Sequence, residues 1–222
     1  MKNLHNALLL KQLIQLKQLG YRYTDTSLRQ DDKAMFHLPN NHVGLKKQAN
    51  DCHLCDLSKS RNKVVFGEGN LDANIMFVGD VPGASEDSSG SLFQGRSGDV
   101  LTNMIEKVLE IKREKTYMAN IVKCKPLGDH SVTAAQIHTC SPYLTKQIEL
   151  VKPKVIIALG KEAYKQLTGE DEPLEKIHGI ACKVNEYTVF AIHHPVFLLR
   201  NPSAKRVVFE DLKKIKEFLD SL

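Results

Sequence analysis

The run Asn74-Ile75-Met76-Phe77-Val78-Gly79-Asp80-Val81-Pro82-Gly83 decides the fold. Four consecutive apolar residues, Ile75 to Val78, leave no polar face, so the segment reads as a strand buried on both sides. Gly79 and Gly83 around Pro82 then break it into a sharp turn. Three further apolar runs repeat the pattern, at 117–122, 155–160 and 188–192. Helical signals separate them. Val100, Met104, Val108 and Ile111 share one face of a helix over 99–111. Thr133 and Gln136 form a capping box that opens a helix running toward Lys152. Lys161–Thr168 is a short helix, and Val208, Leu212, Ile215 and Leu219 stripe a last one. Apolar strands alternating with helices predict an α/β protein: a three-layer α/β/α sandwich around a central, mostly parallel four-stranded sheet.

Working outward, residues 46–222 form the body and residues 1–45 a helical extension with its connector. Leu9, Leu13 and Leu16, widened by Leu10 and Ile14, give an amphipathic helix that stops at Gly20. Residues 21–50 are polar and aperiodic and read as a connector packed loosely on the body. The 222 residues are 42% hydrophobic and 26% charged, which excludes a largely disordered chain. No apolar run approaches the ~20 residues of a membrane helix. The start runs into a Lys/Gln/Leu stretch without a small-residue cleavage site, so the expected location is cytoplasmic, with no membrane partner. The 31 Lys and Arg against 26 Asp and Glu, net +5, permit contact with phosphates without establishing it. Five cysteines, an odd number without a secretory signal, argue against a disulfide framework and for metal or reactive-thiol chemistry.

In parallel sheets the functional groups gather outside the carboxyl ends of the strands. After Val78 comes the Gly79-Asp80-Val81-Pro82-Gly83 turn, whose backbone can approach a ligand closely; the plainer reading is a tight loop with a solvated Asp. Asn120 sits in an otherwise apolar strand and must find partners, either neighbouring backbone or the edge of a nucleobase. His193 and His194 end the fourth strand, where an imidazole can stabilise developing negative charge or simply hold a turn. Leu198 and Leu199, followed by Arg200, Lys205 and Arg206, suit an apolar wedge and phosphate clamp. Cys52 and Cys55 form C-x-x-C, with Cys124 after 68 residues and Cys140 after 15 more. Four thiolates suit an iron–sulfur cluster or structural zinc. Cys182 lies apart and reads as a small core residue.

Together these blocks resemble the family-4 uracil-DNA glycosylases, within the uracil-DNA glycosylase superfamily, from about Cys52 to the end of the chain. C-x-x-C comes first, then Gly79-Asp80-Val81-Pro82-Gly83 with Glu86-Asp87, then Phe93-Gln94-Gly95 with Gly98. Asn120-Ile121-Val122-Lys123-Cys124-Lys125-Pro126, Cys140 and His194-Pro195 with Leu198-Leu199-Arg200 follow in order. The resemblance implies a DNA N-glycosylase that hydrolyses the N-glycosidic bond of uracil in DNA and so begins base excision repair, acting as a monomer. It implies that Cys52, Cys55, Cys124 and Cys140 ligate a [4Fe–4S] cluster. Phe93 would stack on the flipped uracil, Asn120 would bond its edge, and His194 would face its O2. Gly79, Asp80 and Val81 would supply loop contacts, Asp80 being the water-handling carboxylate beside catalytic His194. Leu198, Leu199, Arg200, Lys205 and Arg206 would hold the DNA.

Two positions depart from the family pattern: Asp80 replaces a Glu and Val196 replaces a Ser, removing a hydroxyl expected at a phosphate. No long basic insertion lies between Cys124 and Cys140, although His130 falls there, so turnover is expected rather than covalent trapping. The other reading is an iron–sulfur DNA-binding protein of the same fold with weak or altered glycosylase activity.

Overall fold

The computed structural model describes residues 37–128 and 131–222, and the compact unit runs from Leu38 to Leu222. The Leu9, Leu13 and Leu16 stripe and His130 lie outside the described residues. The chain order within the unit is α1 (His42–Asn50), β1 (Glu68–Gly69), β2 (Ile75–Gly79), α2 (Ala84–Ser89), α3 (Gly95–Lys107) and β3 (Tyr117–Asn120). There follow α4 (Ala134–Val151), β4 (Val155–Leu159), α5 (Lys161–Thr168), α6 (Leu174–Ile177), β5 (Ala181–Val184), β6 (Tyr187–Ile192), α7 (Pro195–Arg200) and α8 (Lys205–Asp220).

The strands form one sheet in the order β1-β3-β2-β4-β6-β5. The four expected strands are its parallel centre: β2 pairs with β3 and β4, and β4 with β6. The sheet nevertheless has six strands among the described residues, not four. β1 and β5 each add an antiparallel edge. Neither could declare itself by apolar pattern. β1 has two residues, one of them glycine, and β5 is half exposed along its length.

Alternation divides the strand side chains between two cores. Met76, Val78, Ala119, Ile156, Ala158, Val189 and Ala191 face one side, while Ile75, Phe77, Met118, Val155, Ile157, Phe190 and Ile192 face the other. Crossover handedness decides which helix covers which face. The chain steps one way from β2 to β3 and the opposite way from β3 to β4 and on to β6, so right-handed connections must lie on opposite faces. Accordingly, α3 packs through Leu101, Met104 and Ile105 on the second core, whereas α4 and α5 cover the first through Tyr143, Leu144, Ala163 and Tyr164. Helix α8 completes the second layer with Val208, Leu212 and Ile215.

Local signals set the helix ends. The Thr133 hydroxyl accepts from the Gln136 N–H while the Gln136 amide accepts from the Thr133 N–H, the expected capping box. Lys152 ends α4 in a left-handed conformation (φ 52°) before Pro153. Two expectations are corrected. The helix expected over 99–111 begins at Gly95 and ends at Lys107. The stretch read as a loose connector contains α1, capped by Asn41 Oδ1 on the Gly44 N–H at 2.7 Å, with Leu45 and Ala49 buried against the first core. No helix among the described residues is long and apolar enough to cross a membrane.

Candidate functional site

Strand β2 lies between β3 and β4, where the connections part toward opposite faces, so a crevice opens outside its carboxyl end. The parallel register places Gly79 beside Asn120, and the pairing continues past the strands, the Ile121 and Val122 N–H groups donating to the carbonyls of Gly79 and Asp80. Asn120 is buried. Its side-chain amide makes no hydrogen bond with the described residues, an arrangement that suits a ligand rather than a structural amide. Gly79 is the necessary neighbour. A Cβ there would lie 2.6 Å from Asn120 Oδ1 and 3.1 Å from the Phe93 ring.

Phe93 is held in the left-handed region (φ 48°), a conformation that costs a bulky residue of order 1–3 kcal/mol and needs support from all sides. The Glu86 carboxylate accepts from the Phe93 N–H at 2.5 Å and from the Gly83 N–H at 2.6 Å, tying the Phe93 turn to the loop after β2. The Arg113 guanidinium donates to the Leu92 carbonyl at 3.0 Å and reaches the Phe93 carbonyl. Gly98 lets that carbonyl approach α3, since a Cβ would sit 1.7 Å from it. Burial pushes the Glu86 carboxyl above its ordinary range, opposed by these two backbone donors. Asp87 anchors α2, its carboxylate accepting from the Asn62 N–H and side-chain amide at 2.9 and 2.6 Å.

Across the crevice, His194 lies with its ring 6.3 Å from that of Phe93. The Val196 N–H donates to His194 Nδ1 at 3.2 Å, so the neutral ring carries its proton on Nε2. Burial lowers the His194 pKa to about 4, keeping it a neutral donor. Gly160 (φ 105°) lies between Asp80 and His194: a Cβ there would be 3.5 Å from Asp80 Oδ2 and 3.9 Å from His194 Cβ. Asp80 is the strongest anomaly. Burial pushes its carboxyl to about 6, the Glu162 charge adding to the effect and an N–H from Ala163 opposing it. Among the described residues, Asp80 Oδ1 is the one side-chain polar atom wholly shut off from solvent without a hydrogen-bond partner. An orphan carboxylate oxygen costs stability and calls for a functional explanation.

Gly79, Asp80, Phe93, Asn120 and His194 are thus brought to one end of the sheet; Val81, half-buried, follows in the same loop. The wedge pair divides. Leu198 is 1% exposed and belongs to the second core, so it is not available as a wedge, whereas Leu199 is 39% exposed. Phe197, also exposed, stacks on His193 at 4.7 Å. Arg200, Lys205 and Arg206 are exposed and form no ion pair among the described residues. Glu86, Gly98, Arg113 and Gly160 carried no role in the sequence reading; for Glu86 the signal was its place three residues after Gly83.

The four expected thiols line a single cavity: Cys52 and Cys55 after α1, Cys124 after β3 and Cys140 on α4. The Arg61 guanidinium donates to Cys124 Sγ at 3.3 Å and the Lys123 N–H to Cys140 Sγ at 3.4 Å, while burial pushes both thiols above their ordinary range. No group of three or more His, Cys, Asp or Glu side chains among the described residues is gathered closely enough to hold a metal ion. His53 is exposed, and Cys182 is half-buried on the edge strand β5, packed against the first core.

The model of the uracil DNA glycosylase superfamily matches residues 66–218. The chain is 39% identical over 178 residues to a type-4 uracil-DNA glycosylase of Saccharolobus solfataricus, covering 77% of this chain and 82% of the relative. It is 37% identical over 179 residues to the type-4 enzyme of Thermotoga maritima, covering 79% and 93%. A type-4 enzyme of Archaeoglobus fulgidus is 34% identical over 75% of this chain and 87% of its own. A chain of this length and identity, with its polar groups collected at the switch point of the sheet, belongs to the uracil-DNA glycosylase superfamily, among the type-4 enzymes.

Proposed function

We propose that this protein excises uracil from DNA by hydrolysing the bond between C1′ of the deoxyribose and N1 of the base. The observation that carries the reading is the convergence of a free Asn120 amide, a neutral His194 and an Asp80 carboxylate with one unpartnered oxygen around Phe93. The bond cannot be reached inside a stacked duplex, so the nucleotide rotates into the crevice. Leu199 fills the gap, and Arg200, Lys205 and Arg206 take the phosphates. Phe93 stacks on the base. The Asn120 amide matches O4 and N3–H of uracil together, whereas cytosine reverses both partners. As the bond breaks, negative charge grows on uracil O2 and His194 Nε2–H donates to it. Such a donor contributes roughly 3–4 kcal/mol to transition-state stabilisation. Asp80, as the carboxylate, stabilises the cation-like sugar or orients the attacking water.

Cys52, Cys55, Cys124 and Cys140 are proposed to hold a [4Fe–4S] cluster. The gathering of all four around one cavity supports it, with the Arg61 guanidinium and the Lys123 N–H donating to two of the sulfurs. When bound, the cluster supplies a covalent cross-link between the segment after α1 and the sheet.

The decisive measurement is uracil release from a uracil-containing oligonucleotide, with cytosine, hypoxanthine and ethenocytosine substrates beside it. Uracil should be released in preference, and His194→Ala should slow release at least ~10²-fold. A protein that binds the oligonucleotide but releases no base would instead be a DNA-binding relative.

A further inference from the structure

We infer that Lys123 and Gln147 are positioning residues for base selection: a buried ammonium, aimed by Gln147, clamps the peptide carbonyl of Asn120 and so fixes where its amide points. The inference rests on the proposed role of Asn120 as reader of the uracil edge. Lys123 is 2% exposed and Gln147 fully buried. A buried ammonium is tolerated only when its donors are used. Lys123 Nζ donates to the Asn120 carbonyl at 2.7 Å and to Gln147 Oε1 at 2.5 Å, and it pairs with no carboxylate among the described residues.

The bond directions leave no freedom. An ammonium can only donate, so the Gln147 oxygen must face Lys123 and its nitrogen must face away. That nitrogen donates to the Phe66 carbonyl and to the Tyr117 hydroxyl, each at 2.9 Å. The Tyr117 hydroxyl in turn lies 2.9 Å from His42 Nε2 on α1. Gly67 (φ 144°) makes room for this junction, since a Cβ there would lie 2.5 Å from Gln147 Nε2 and 2.9 Å from the Tyr117 oxygen. The clamp closes where sheet pairing stops. β1 pairs with Tyr117 and Met118 alone, so on that flank of β3 the Lys123 side chain, rather than another strand, holds the Asn120 carbonyl. A polar chain through α1, β3 and α4 therefore ends on the peptide of the residue that reads the base, while the Asn120 amide itself is left free of protein partners.

The test is a double-mutant cycle on the full chain, reading single-turnover kcat/KM on a uracil oligonucleotide and inhibition by free uracil. Gln147→Met should lower kcat/KM about 10-fold and weaken inhibition by uracil to a similar degree in the wild-type background. It should have no further effect in an Asn120→Ala background, because the clamp acts through Asn120. Equal losses from Gln147→Met in both backgrounds would mean a purely structural role and overturn the inference, as would no loss in either. Should Gln147→Met fail to fold, Lys123→Met carries the same cycle with the same criteria. If Asn120→Ala alone leaves the rate and the preference for uracil over cytosine unchanged, the base-reading assignment fails first and the clamp falls with it.

Discussion

Asp80 carries the clearest conflict between stability and activity. Its carboxyl titrates near 6 because burial disfavours the charge, so between its ordinary pKa of 3.8 and about 6 the folded protein holds a proton that the unfolded chain has lost. Stability therefore falls as pH rises through that interval and stays lower above it, by up to about 3 kcal/mol. The chemistry asks for the opposite state, the ionised carboxylate. We expect kcat/KM for uracil release to rise with pH through about 6 and then level. His194, at about 4, is already neutral there and does not shape that limb. Asp80→Asn should lower the rate at least ~10²-fold and raise the melting temperature at pH 8, with the two proteins converging near pH 4. A rate profile flat through pH 6, or an Asp80→Asn protein less stable than wild type at pH 8, would remove Asp80 from the catalytic role. The residue type and its place after β2 were legible in the sequence. Its missing hydrogen-bond partner was not, because that depends on Gly160, Ala163 and Glu162, about eighty positions further along the chain.

At the scale of elements, the turn into α3 shows why strand and helix patterns reveal the frame more readily than the site. Both faces of β2, β3, β4 and β6 are buried, so their apolar runs are unbroken and readable. The Phe93 turn is built instead from single contacts across sequence distance: Glu86 to its N–H, Arg113 to its carbonyl, Gly98 against the same carbonyl. None of these leaves a periodic trace, and the four residues of α3 before Asp99 carry no apolar stripe to mark its start. Two glycines of this helix make opposite predictions. Gly98→Ala must displace the Phe93 backbone and should reduce kcat/KM more than 10-fold, with a loss of several degrees in melting temperature. Gly95→Ala meets no atom within 4 Å and pays only for its positive φ of 71°, about 1 kcal/mol, with the site left in place. Similar rates for the two variants would show that the Phe93 turn does not set the geometry of the crevice.

Across the whole molecule, the proposed cluster joins parts that the sheet alone does not connect. Cys52 and Cys55 follow α1, Cys124 follows β3, and Cys140 rides on α4; the longest interval closed, from Cys55 to Cys124, holds 68 residues. A cross-link over a loop of that length restricts the unfolded chain by an amount that, for a disulfide, is worth about 4 kcal/mol. Without it, α1 depends on Leu45 and Ala49 packed against the first core, and on the hydrogen bonds of His42 and Gln48 to Tyr117 and Tyr143. Cys140→Ser should therefore abolish the visible absorbance of anaerobically purified protein, strip its iron and sulfide, and lower the melting temperature by roughly 10 °C. Cys182→Ser, on the far edge strand, should change neither spectrum nor iron content and is the control for thiol loss as such. Iron and sulfide analysis decides the identity of the group independently of activity: a colourless wild-type protein holding one zinc would overturn the cluster. A Cys140→Ser protein with unchanged spectrum and melting temperature would show that the four thiols do not act together.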